Sequence, residues 1–458
     1  MDLTDKRVTV MGLGRFGGGV GVARYLVKQG ADVLVTDLLS EDELAESLAK
    51  LQGLPIEYRL GEHNVSDFTT CDLVIANPAV KPDNRFLRAA QAAGIPITSE
   101  IRLLVKALPN RMRTIGVTGT AGKSTTTAMI GHILNKTLPP QPPAQPGDQP
   151  TGKVPRVWVG GNIGGSLLEH VDEIGKDDWV VLELSSFMLH GLREDRWSPH
   201  IAVITNISPN HLDWHGTFES YLDDKLSIIA PKGVKQVSPI VGPGVHEQLP
   251  DEISKYIYAW PEKIVLTIDL LLPGEHNQVN AILAVHAANY TNKLEPEEQA
   301  DMLADFPGLP HRLQFVHEHA GVRYYNDSKC TTPEAAELAV KSFGPGTVHI
   351  IIGGYDKGSD LKPLAGFTAE KCAGVYVIGD TGEGVAAAAE AASAGGAGGA
   401  GAEVVRCGEL DVAVRDAVKR AKPGQVVLLS PGCASWDQFD NYEQRGERFI
   451  ELVKQLAV

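Results

Sequence analysis

The sequence has few of the features that mark secreted, membrane-spanning or nucleic-acid-binding proteins. It has only five cysteines in 458 residues, widely separated and odd in number, which fits neither a metal site nor a disulfide framework. It has no run of about 18 apolar residues, and a glycine turn interrupts the N-terminal apolar run before signal-peptide length. Acidic residues outnumber basic ones, giving a formal net charge of −15 and a pI near 5.4. These absences argue against membrane and nucleic-acid partners and predict a cytoplasmic enzyme that acts on small molecules.

Segments with strand and helix patterns alternate along most of the chain, and its length suits about three domains. We therefore expect the α/β fold class, with a Rossmann-like N-terminal domain (1–98), a central ATPase domain of the P-loop type (99–308) and a Rossmann-like C-terminal domain (309–458). A proline-rich segment (137–155) and an alanine- and glycine-rich segment (383–403) are predicted to be insertions. The alanines of the second insertion can form a helix.

A glycine turn in the middle of the sequence has the pattern of a phosphate-binding loop. Residues 119–122 separate a predicted strand from a predicted helix that begins with Lys123 and Ser124. The N–H groups of such a turn and the helix dipole attract phosphate, the lysine adds a charge, and the serine hydroxyl can bind Mg²⁺. Val117 occupies the position of the usual first glycine, so the spacing is a shortened variant. The alternative is a glycine turn followed by a solvated lysine.

A second glycine turn lies near the N-terminus. Gly12, Gly14 and Gly17 follow a predicted strand, and Asp37 ends the next strand about 20 positions later. This pattern indicates a site for a nucleotide diphosphate without identifying the nucleotide. The alternative is a turn that only lets the following helix pack on the sheet.

Polar side chains also follow later predicted strands. Glu183 ends a buried strand and is the best candidate to bind Mg²⁺ through oxygen, while His211 follows the next strand and could equally be structural. Near the C-terminus, Lys329 and Lys357 at two strand ends could bind a second anionic substrate, although each lysine alone is usually solvated.

The motifs resemble the Mur ligases of peptidoglycan synthesis over nearly the whole chain. The shared elements are GTAGKST, GNIG, the strand ending at Glu183, residues 206–211, HNxxN at 276–280, LPHR and NDSK. ELSSF (183–187) and SPGCASWDQFDNYEQRG (430–446) resemble the members that add D-glutamate. Ala121, Cys330 and Tyr442 depart from the residues frequent in that group.

The resemblance implies that the three domains bind UDP-N-acetylmuramoyl-L-alanine, ATP with Mg²⁺, and D-glutamate, in that order along the chain. The positions that match contacts to the UDP substrate are Gly14, Gly17, Asp37, Asn77 and Asn162. Those that match ATP contacts are Gly119, Thr120, Gly122, Lys123, Ser124, Thr125, Asn277, Asn280, Arg312 and Asp327. Those that match D-glutamate contacts are Thr331, Lys357, Ser435, Trp436 and Tyr442.

The resemblance also implies the metal-binding and catalytic residues. The positions that match metal ligands are Ser124, Glu183, His211 and Lys225, and Lys225 matches a lysine that is carbamylated in such ligases. Lys123, His211 and Lys225 are the candidate catalytic residues.

The expected reaction begins with transfer of the ATP γ-phosphoryl group to the substrate carboxylate. The amine of D-glutamate then displaces phosphate from the acyl phosphate, and we expect a monomer to carry this out. One alternative is another Mur-type or folylpolyglutamate-type amino-acid ligase, which would lack SPGCASWDQF. A second alternative is an NAD-dependent oxidoreductase, which would explain the first glycine turn but leave Lys123, Glu183 and Lys225 without a role.

Overall fold

Three largely parallel sheets confirm the predicted α/β class. The structure, a computed structural model, describes residues 2–14, 17–138, 155–229, 237–249, 267–292, 294–395 and 401–457. The proline-rich segment predicted at 137–155 lies mostly outside these residues, as do positions 396–400 of the second predicted insertion. The chain forms two compact units, one of Met1–Thr267 with Asn280–Met302 and one of Ile268–Val279 with Leu303–Val458.

The first sheet is entirely parallel, with strand order β3-β2-β1-β4-β5. Its strands are β1 (Arg7–Met11), β2 (Asp32–Asp37), β3 (Ile56–Leu60), β4 (Leu73–Ala76) and β5 (Ile97–Thr98). Its helices are α1 (Gly18–Lys28), α2 (Ala45–Ala49), α3 (Val65–Thr69) and α4 (Arg85–Ala92). The sequence did not predict β3, which is an edge strand with no fully buried residue.

The second sheet is also parallel, in the order β10-β9-β6-β8-β7. Its strands are β6 (Thr114–Thr118), β7 (Val157–Gly161), β8 (Trp179–Glu183), β9 (Ile201–Ile204) and β10 (Ser238–Val241). The accompanying helices are α5 (Glu100–Ala107), α6 (Lys123–Thr137), α7 (Ser186–Glu194), α8 (Leu212–His215), α9 (Phe218–Leu226), α10 (Glu275–Asn289) and α11 (Pro296–Asp301). Central strands β6, β8 and β9 are wholly buried, which explains their continuous apolar sequences.

The first and second sheets belong to the same unit, and α1 packs against the 3-10 helix Leu167–Glu173. A Cβ on Gly21 would lie 2.4 Å from the Ser166 Cβ, so only glycine permits this close approach. Arg24 and Lys28 reach Glu169 and Asp172 at 3.2 and 2.9 Å. The N-terminal and central sheets are therefore held together by direct packing.

The third sheet forms the core of the second unit, with the order β11-β12-β16-β13-β14-β15. Only β11 is antiparallel to its neighbour. Its strands are β11 (Gln314–His319), β12 (Val322–Asn326), β13 (Val348–Gly353), β14 (Gly374–Ile378), β15 (Glu403–Gly408) and β16 (Val426–Leu429). Its helices are α12 (Pro333–Lys341), α13 (Lys362–Lys371), α14 (Gly382–Gly395), α15 (Leu410–Arg420) and α16 (Tyr442–Lys454). Helix α14 confirms that the alanines of the second predicted insertion can be helical, since those from Ala386 to Ala394 lie in it.

Within the described residues, no helix combines the length and apolarity needed to cross a membrane. In each sheet the carboxyl ends of the parallel strands face one edge, which is where α/β proteins bind ligands. Most of the predicted site residues follow those strand ends.

Candidate active site

The N-terminal glycine turn joins β1 to α1 as the sequence predicted. Gly12, Gly14 and Gly17 have φ angles of 90°, 65° and 86°, a region that side chains other than glycine rarely adopt. The Gly14 N–H donates to Asp37 Oδ2 at 3.0 Å, and the Leu39 N–H donates to Asp37 Oδ1 at 2.9 Å. Asp37 thus fixes the turn from the end of the neighbouring strand β2.

Asn77 lies on the other side of the same turn, after β4. A Cβ on Gly12 would come within 3.1 Å of the Asn77 Cβ, so the turn and this side chain are in close contact. The segment that follows is connected to the central domain, since Lys81 Nζ donates to the Asp213 carbonyl at 2.5 Å and Trp214 Nε1 donates to the Ala79 carbonyl at 3.1 Å. The first glycine turn is therefore linked to the segment that carries His211.

The central glycine turn is formed by two glycines that no other residue could replace unless neighbouring atoms moved. Gly119 and Gly122 have φ angles of 145° and 79°. A Cβ on Gly119 would lie 2.0 Å from Thr205 Oγ1, and one on Gly122 would lie 2.4 Å from Asn280 Oδ1. Thr126 Oγ1 also donates to Asn280 Oδ1 at 3.3 Å, so Asn280 is in contact with the turn.

Helix α6 begins at Lys123, with Gly122 as its N-cap. The Thr126 N–H donates to the Gly122 carbonyl at 2.9 Å, and the N–H groups of Lys123, Ser124 and Thr125 precede that first helical bond. Lys123 Nζ folds back to the carbonyls of Gly119 and Thr120, both at 3.0 Å. This arrangement of amides and one ammonium suits an anion, as the sequence predicted.

Asn206 holds this loop in place, a role that its sequence position did not predict. Its Oδ1 accepts the Ala121 N–H and its Nδ2 donates to the Ala121 carbonyl, each at 3.0 Å. The Asn206 carbonyl also accepts the Thr120 N–H at 2.8 Å. Thr120 Oγ1 in turn lies 2.9 Å from the Tyr221 hydroxyl. The loop is thereby attached to the segment after β9 and to α9.

Within the part of the chain that the structure describes, one carboxylate oxygen of Glu183, at the end of β8, has no hydrogen-bond partner. The residue is 2% exposed, and its Oε1 accepts from Asn162 Nδ2 at 2.8 Å. Its Oε2 is buried and accepts no hydrogen bond from any described residue. A buried carboxylate oxygen without a donor is costly unless a ligand or ion satisfies it. Asn162 therefore positions Glu183 through a direct hydrogen bond.

Lys225 on α9 is buried beside the phosphate loop. Its Nζ donates to the Gly119 carbonyl at 2.8 Å and to Thr118 Oγ1 at 3.3 Å. Burial, and next the charge of Lys123, lower the pKa of Lys225 to about 7, although Glu183 and Asp224 act in the opposite direction. A buried lysine with this pKa has a substantial neutral fraction near neutral pH.

A buried network of hydrogen bonds supports the helix that carries Lys225. Asp224 Oδ2 lies 3.2 Å from His215 Nδ1 and 3.1 Å from His190 Nδ1, and His215 Nε2 lies 2.9 Å from Ser186 Oγ. The hydrogen bond to Asp224 raises the pKa of His190, whereas burial lowers that of His215. These contacts tie α9 to α7, directly after Glu183.

His211 is exposed and is the N-cap of α8, with a φ of 53°. Its ring centroid lies 5.0 Å from that of Phe187. Among the described residues, no group of three or more His, Cys, Asp or Glu side chains forms a metal-binding cluster.

In the second unit, Asp327 follows β12 and is almost fully buried. Burial raises the pKa of its carboxyl to about 6, and Ser430 Oγ donates to Oδ2 at 2.8 Å. Arg312 is exposed on the segment before β11. Asn277 is buried on the first turn of α10, where its Nδ2 donates to the Pro273 carbonyl at 2.7 Å.

Two of the five residues predicted to bind the amino-acid substrate line one pocket of the second unit. Thr331 and Lys357 line it together with Tyr355, Ser359 and Cys433. Ser435 and Trp436 directly follow this lining, Ser435 buried and Trp436 exposed. Tyr442 opens α16, and its ring lies 5.1 Å below Lys329 Nζ.

Arg445 is a second residue that the sequence reading did not single out. Its buried guanidinium donates to the carbonyls of Ser328, Cys433 and Ala434 and to Ser328 Oγ, all at 2.9–3.0 Å. Burial lowers the pKa of this arginine to about 10. It joins the loop after β12 to the loop that lines the pocket.

Comparison with known proteins identifies the family. Family models match the chain as a MurD-like N-terminal domain of Mur ligases over 6–99, a Mur ligase middle domain over 117–241 and a Mur ligase glutamate ligase domain over 311–433.

Relatives that match over their whole length define the branch of that family. The UDP-N-acetylmuramoylalanine--D-glutamate ligase of Roseiflexus sp. (strain RS-1) is 38% identical, with 99% of both chains covered. The protein of the same name from Koribacter versatilis is 36% identical, with 100% of this chain and 99% of that protein covered. Among solved structures, UDP-N-acetylmuramate-alanine ligase from Thermotoga maritima has the same fold, with a TM-score of 0.56 at 20% identity over 98% of this chain and 99% of that one. The chain therefore belongs to the Mur ligase family, in the branch of its D-glutamate-adding members.

Proposed function

We propose that this chain uses ATP to join D-glutamate to UDP-N-acetylmuramoyl-L-alanine through an acyl-phosphate intermediate. The ligation is the activity of its branch, and the observation that carries the proposal is the full-length similarity to D-glutamate ligases. The MurD-like N-terminal match and the pocket lined by Thr331 and Lys357 support D-glutamate over the substrate of another Mur-type or folylpolyglutamate-type ligase. The buried lysine and carboxylate around the phosphate loop argue against an NAD-dependent oxidoreductase.

The N-terminal turn is the proposed site for the UDP part of the substrate. The left-handed glycines allow the backbone amides to approach a diphosphate, and Asp37 and Asn77 flank the turn from two neighbouring strands. Gly14, Gly17, Asp37 and Asn77 are therefore the proposed contacts in this domain. Asn162, which is exposed apart from its bond to Glu183, is a further proposed contact.

ATP is proposed to bind at the start of α6. Gly119, Thr120, Gly122, Ser124 and Thr125 supply the turn and the first helical amides, and Lys123 supplies the charge. Further proposed ATP contacts are Asn277, Asn280, Arg312 and Asp327. The fixed amides and the ammonium stabilise charge on the phosphoryl group without reorganising during transfer.

The residues around Glu183 fit a magnesium ion. The unpaired Oε2 of Glu183 is the kind of hard oxygen donor that Mg²⁺ prefers, and Ser124 supplies a hydroxyl. The proposed ligands are Ser124, Glu183, His211 and a carbamylated Lys225. Bound Mg²⁺ would offset the negative charge that develops on the transferred phosphoryl group.

The chemistry proceeds in two balanced steps. An oxygen of the alanyl carboxylate attacks the γ-phosphorus of ATP, and ADP leaves, so a poor leaving group is replaced by phosphate. The D-glutamate nitrogen then attacks the acyl carbon, the amide bond forms and phosphate departs. The nitrogen loses a proton in this step, and the proposed acceptor is a nearby carboxylate, or His211 when its imidazole is not bound to the metal.

Lys225 is proposed to act as a carbamate rather than as a cation. Its burial and lowered pKa favour the neutral amine, which can add CO₂ and release a proton. The product is a carboxylate-like group beside Glu183 and Lys123. This conversion places a negative charge next to Lys123, where the unmodified amine is either neutral or positively charged.

We further propose domain boundaries at 1–98, 99–308 and 309–458, a cytoplasmic location and a monomer. The family matches at 6–99, 117–241 and 311–433 support the boundaries. Five free cysteines support a reducing compartment.

Phosphate release from ATP in the presence of UDP-N-acetylmuramoyl-L-alanine tests the function. We expect release that requires D-glutamate and is not supported by L-glutamate. Equal release with L-glutamate, or NAD reduction without ATP turnover, would contradict the proposal.

A further inference from the structure

Two exposed aromatic side chains lie in contact beside the pocket of the second unit. Tyr355 and Trp436 are 39% and 58% exposed, and their ring centroids are 5.5 Å apart with an interplanar angle of 59°. Tyr355 also lines the pocket. An exposed pair of large rings beside a polar pocket suggests a binding role, because most such rings are withdrawn from water.

The backbone brings these rings together. β13 ends at Gly353 and is followed by Gly354, with φ angles of 109° and 145°, and the chain then turns toward the loop after β16. The Tyr355 N–H donates to the Ala434 carbonyl at 3.0 Å, and the two residues form an antiparallel bridge. The position of Trp436 relative to the segment after β13 is therefore set by main-chain hydrogen bonding.

Lys357 lies over the face of Trp436. Its Nζ is 4.4 Å from the ring centroid, a distance at which the negative face of an indole attracts an ammonium. Within the described part of the chain, no Asp or Glu oxygen pairs with this ammonium. The adjacent Asp356 instead accepts the Gly358 N–H at 2.7 Å. The indole ring is therefore the group that orients Lys357.

We propose that Trp436 is a positioning residue that holds the Lys357 ammonium for a carboxylate of the amino-acid substrate, with Tyr355 packed against the indole. This inference rests on the proposed function, in which Lys357 and Thr331 bind D-glutamate. An exposed lysine samples many rotamers, and fixing it before the substrate arrives reduces the entropy lost on binding.

An aromatic ring suits this task better than an acidic side chain. A carboxylate would also orient the lysine, but it would neutralise the charge and occupy its donors. The indole face attracts the Lys357 ammonium, and the N–H donors of that ammonium remain available to the substrate. The pocket thus keeps an oriented positive charge for an acidic amino acid.

Trp436→Leu removes the ring, and Trp436→Phe retains a smaller one as the matched control. We expect Trp436→Leu to raise the KM for D-glutamate about two- to fivefold, the factor that an exposed cation–π contact supplies. The kcat and the KM for ATP should change by less than about twofold, because the nucleotide contacts lie elsewhere. Trp436→Phe should give a smaller rise in the KM for D-glutamate.

A double-mutant cycle separates positioning from direct contact with the substrate. If Trp436 acts through Lys357, Trp436→Leu adds little to the KM of Lys357→Met. Equal effects of Trp436→Leu in both backgrounds, or an unchanged KM in the single variant, would overturn the inference while leaving the proposed function intact. If the wild-type protein shows no D-glutamate-dependent phosphate release, the inference about Trp436 and the proposed function are both overturned.

Discussion

Lys225 shows how much one residue depends on its surroundings. Its sequence position on an amphipathic helix is compatible with an ordinary surface lysine, yet the side chain is 2% exposed and donates to the phosphate loop. Burial, and next the charge of Lys123, lower the pKa of Lys225, while the charge of Glu183 opposes them. A neutral amine between these groups is open to conversion into a carbamate.

The carbamate role predicts a chemical rescue. Lys225→Ala should lose most of the ligase activity, because the proposed metal ligand disappears. Acetate or propionate should restore part of it by occupying the space that the lysine side chain leaves. Lys123→Ala is the control, since it removes a cation and a carboxylate cannot replace it. Phosphate release, measured at increasing concentrations of acetate or propionate, tests this rescue. A Lys225→Ala variant that is fully active, or whose activity these acids fail to restore, would count against the carbamate.

The elements were predicted unevenly, and burial explains the difference. Helix α5 (Glu100–Ala107) has an apolar face that alternates clearly with polar residues, so its sequence carries a helical signal. Strands β3, β10 and β11 were not predicted. They lie at sheet edges and have mixed or partial burial, so their sequences carry no continuous apolar signal.

The contact between α5 and the 3-10 helix Leu167–Glu173 contains a buried acid. Glu100 accepts a hydrogen bond from Ser166 Oγ at 2.7 Å, and burial raises the pKa of its carboxyl from 4.5 to about 7. The folded protein therefore keeps this proton up to about pH 7, whereas the unfolded chain loses it near pH 4.5. Stability from this group is present below pH 4.5 and declines as the pH rises to 7.

Replacing Glu100 by Gln should remove that decline. We expect Glu100→Gln to raise the free energy of unfolding at pH 8 by roughly 1–3 kcal/mol relative to wild type, with a much smaller gain at pH 4.5. Urea denaturation at the two pH values measures this difference. Glu297→Gln, at an exposed position of α11, is the matched control and should show no such dependence. An equal effect of Glu100→Gln at both pH values would argue against a protonated Glu100.

At the scale of the molecule, the glycine turns proposed to bind the UDP substrate and the ATP phosphates belong to two sheets of one unit. The two turns are connected through Trp214 and Lys81 rather than by shared ligands. The affinity of the first glycine turn for the UDP substrate should therefore change little when the Lys123 charge at the second glycine turn is removed.

Two variants test this separation. Lys123→Ala should lower ATP turnover by at least about 100-fold, because one preorganised charge is lost, while UDP-substrate affinity by calorimetry stays close to wild type. Asn77→Ala should do the reverse, weakening the UDP substrate with little change in ATP affinity. Loss of both affinities in either single variant would show that the two turns are not independent.

The sequence by itself determined the α/β class, both glycine turns and the family, because these depend on local patterns and on motif order. It also predicted a site role for Glu183 from its place at a strand end and for Lys225 from the family resemblance. Only the tertiary structure decided that Asn206 brackets Ala121, that Arg445 joins two loops of the pocket and that Trp436 orients Lys357. The paired residues are far apart in the sequence: 85 positions for Asn206 and Ala121, 117 for Arg445 and Ser328, and 79 for Trp436 and Lys357. No periodicity or short motif records such pairs, because folding brings them together only when parallel strands align their carboxyl ends.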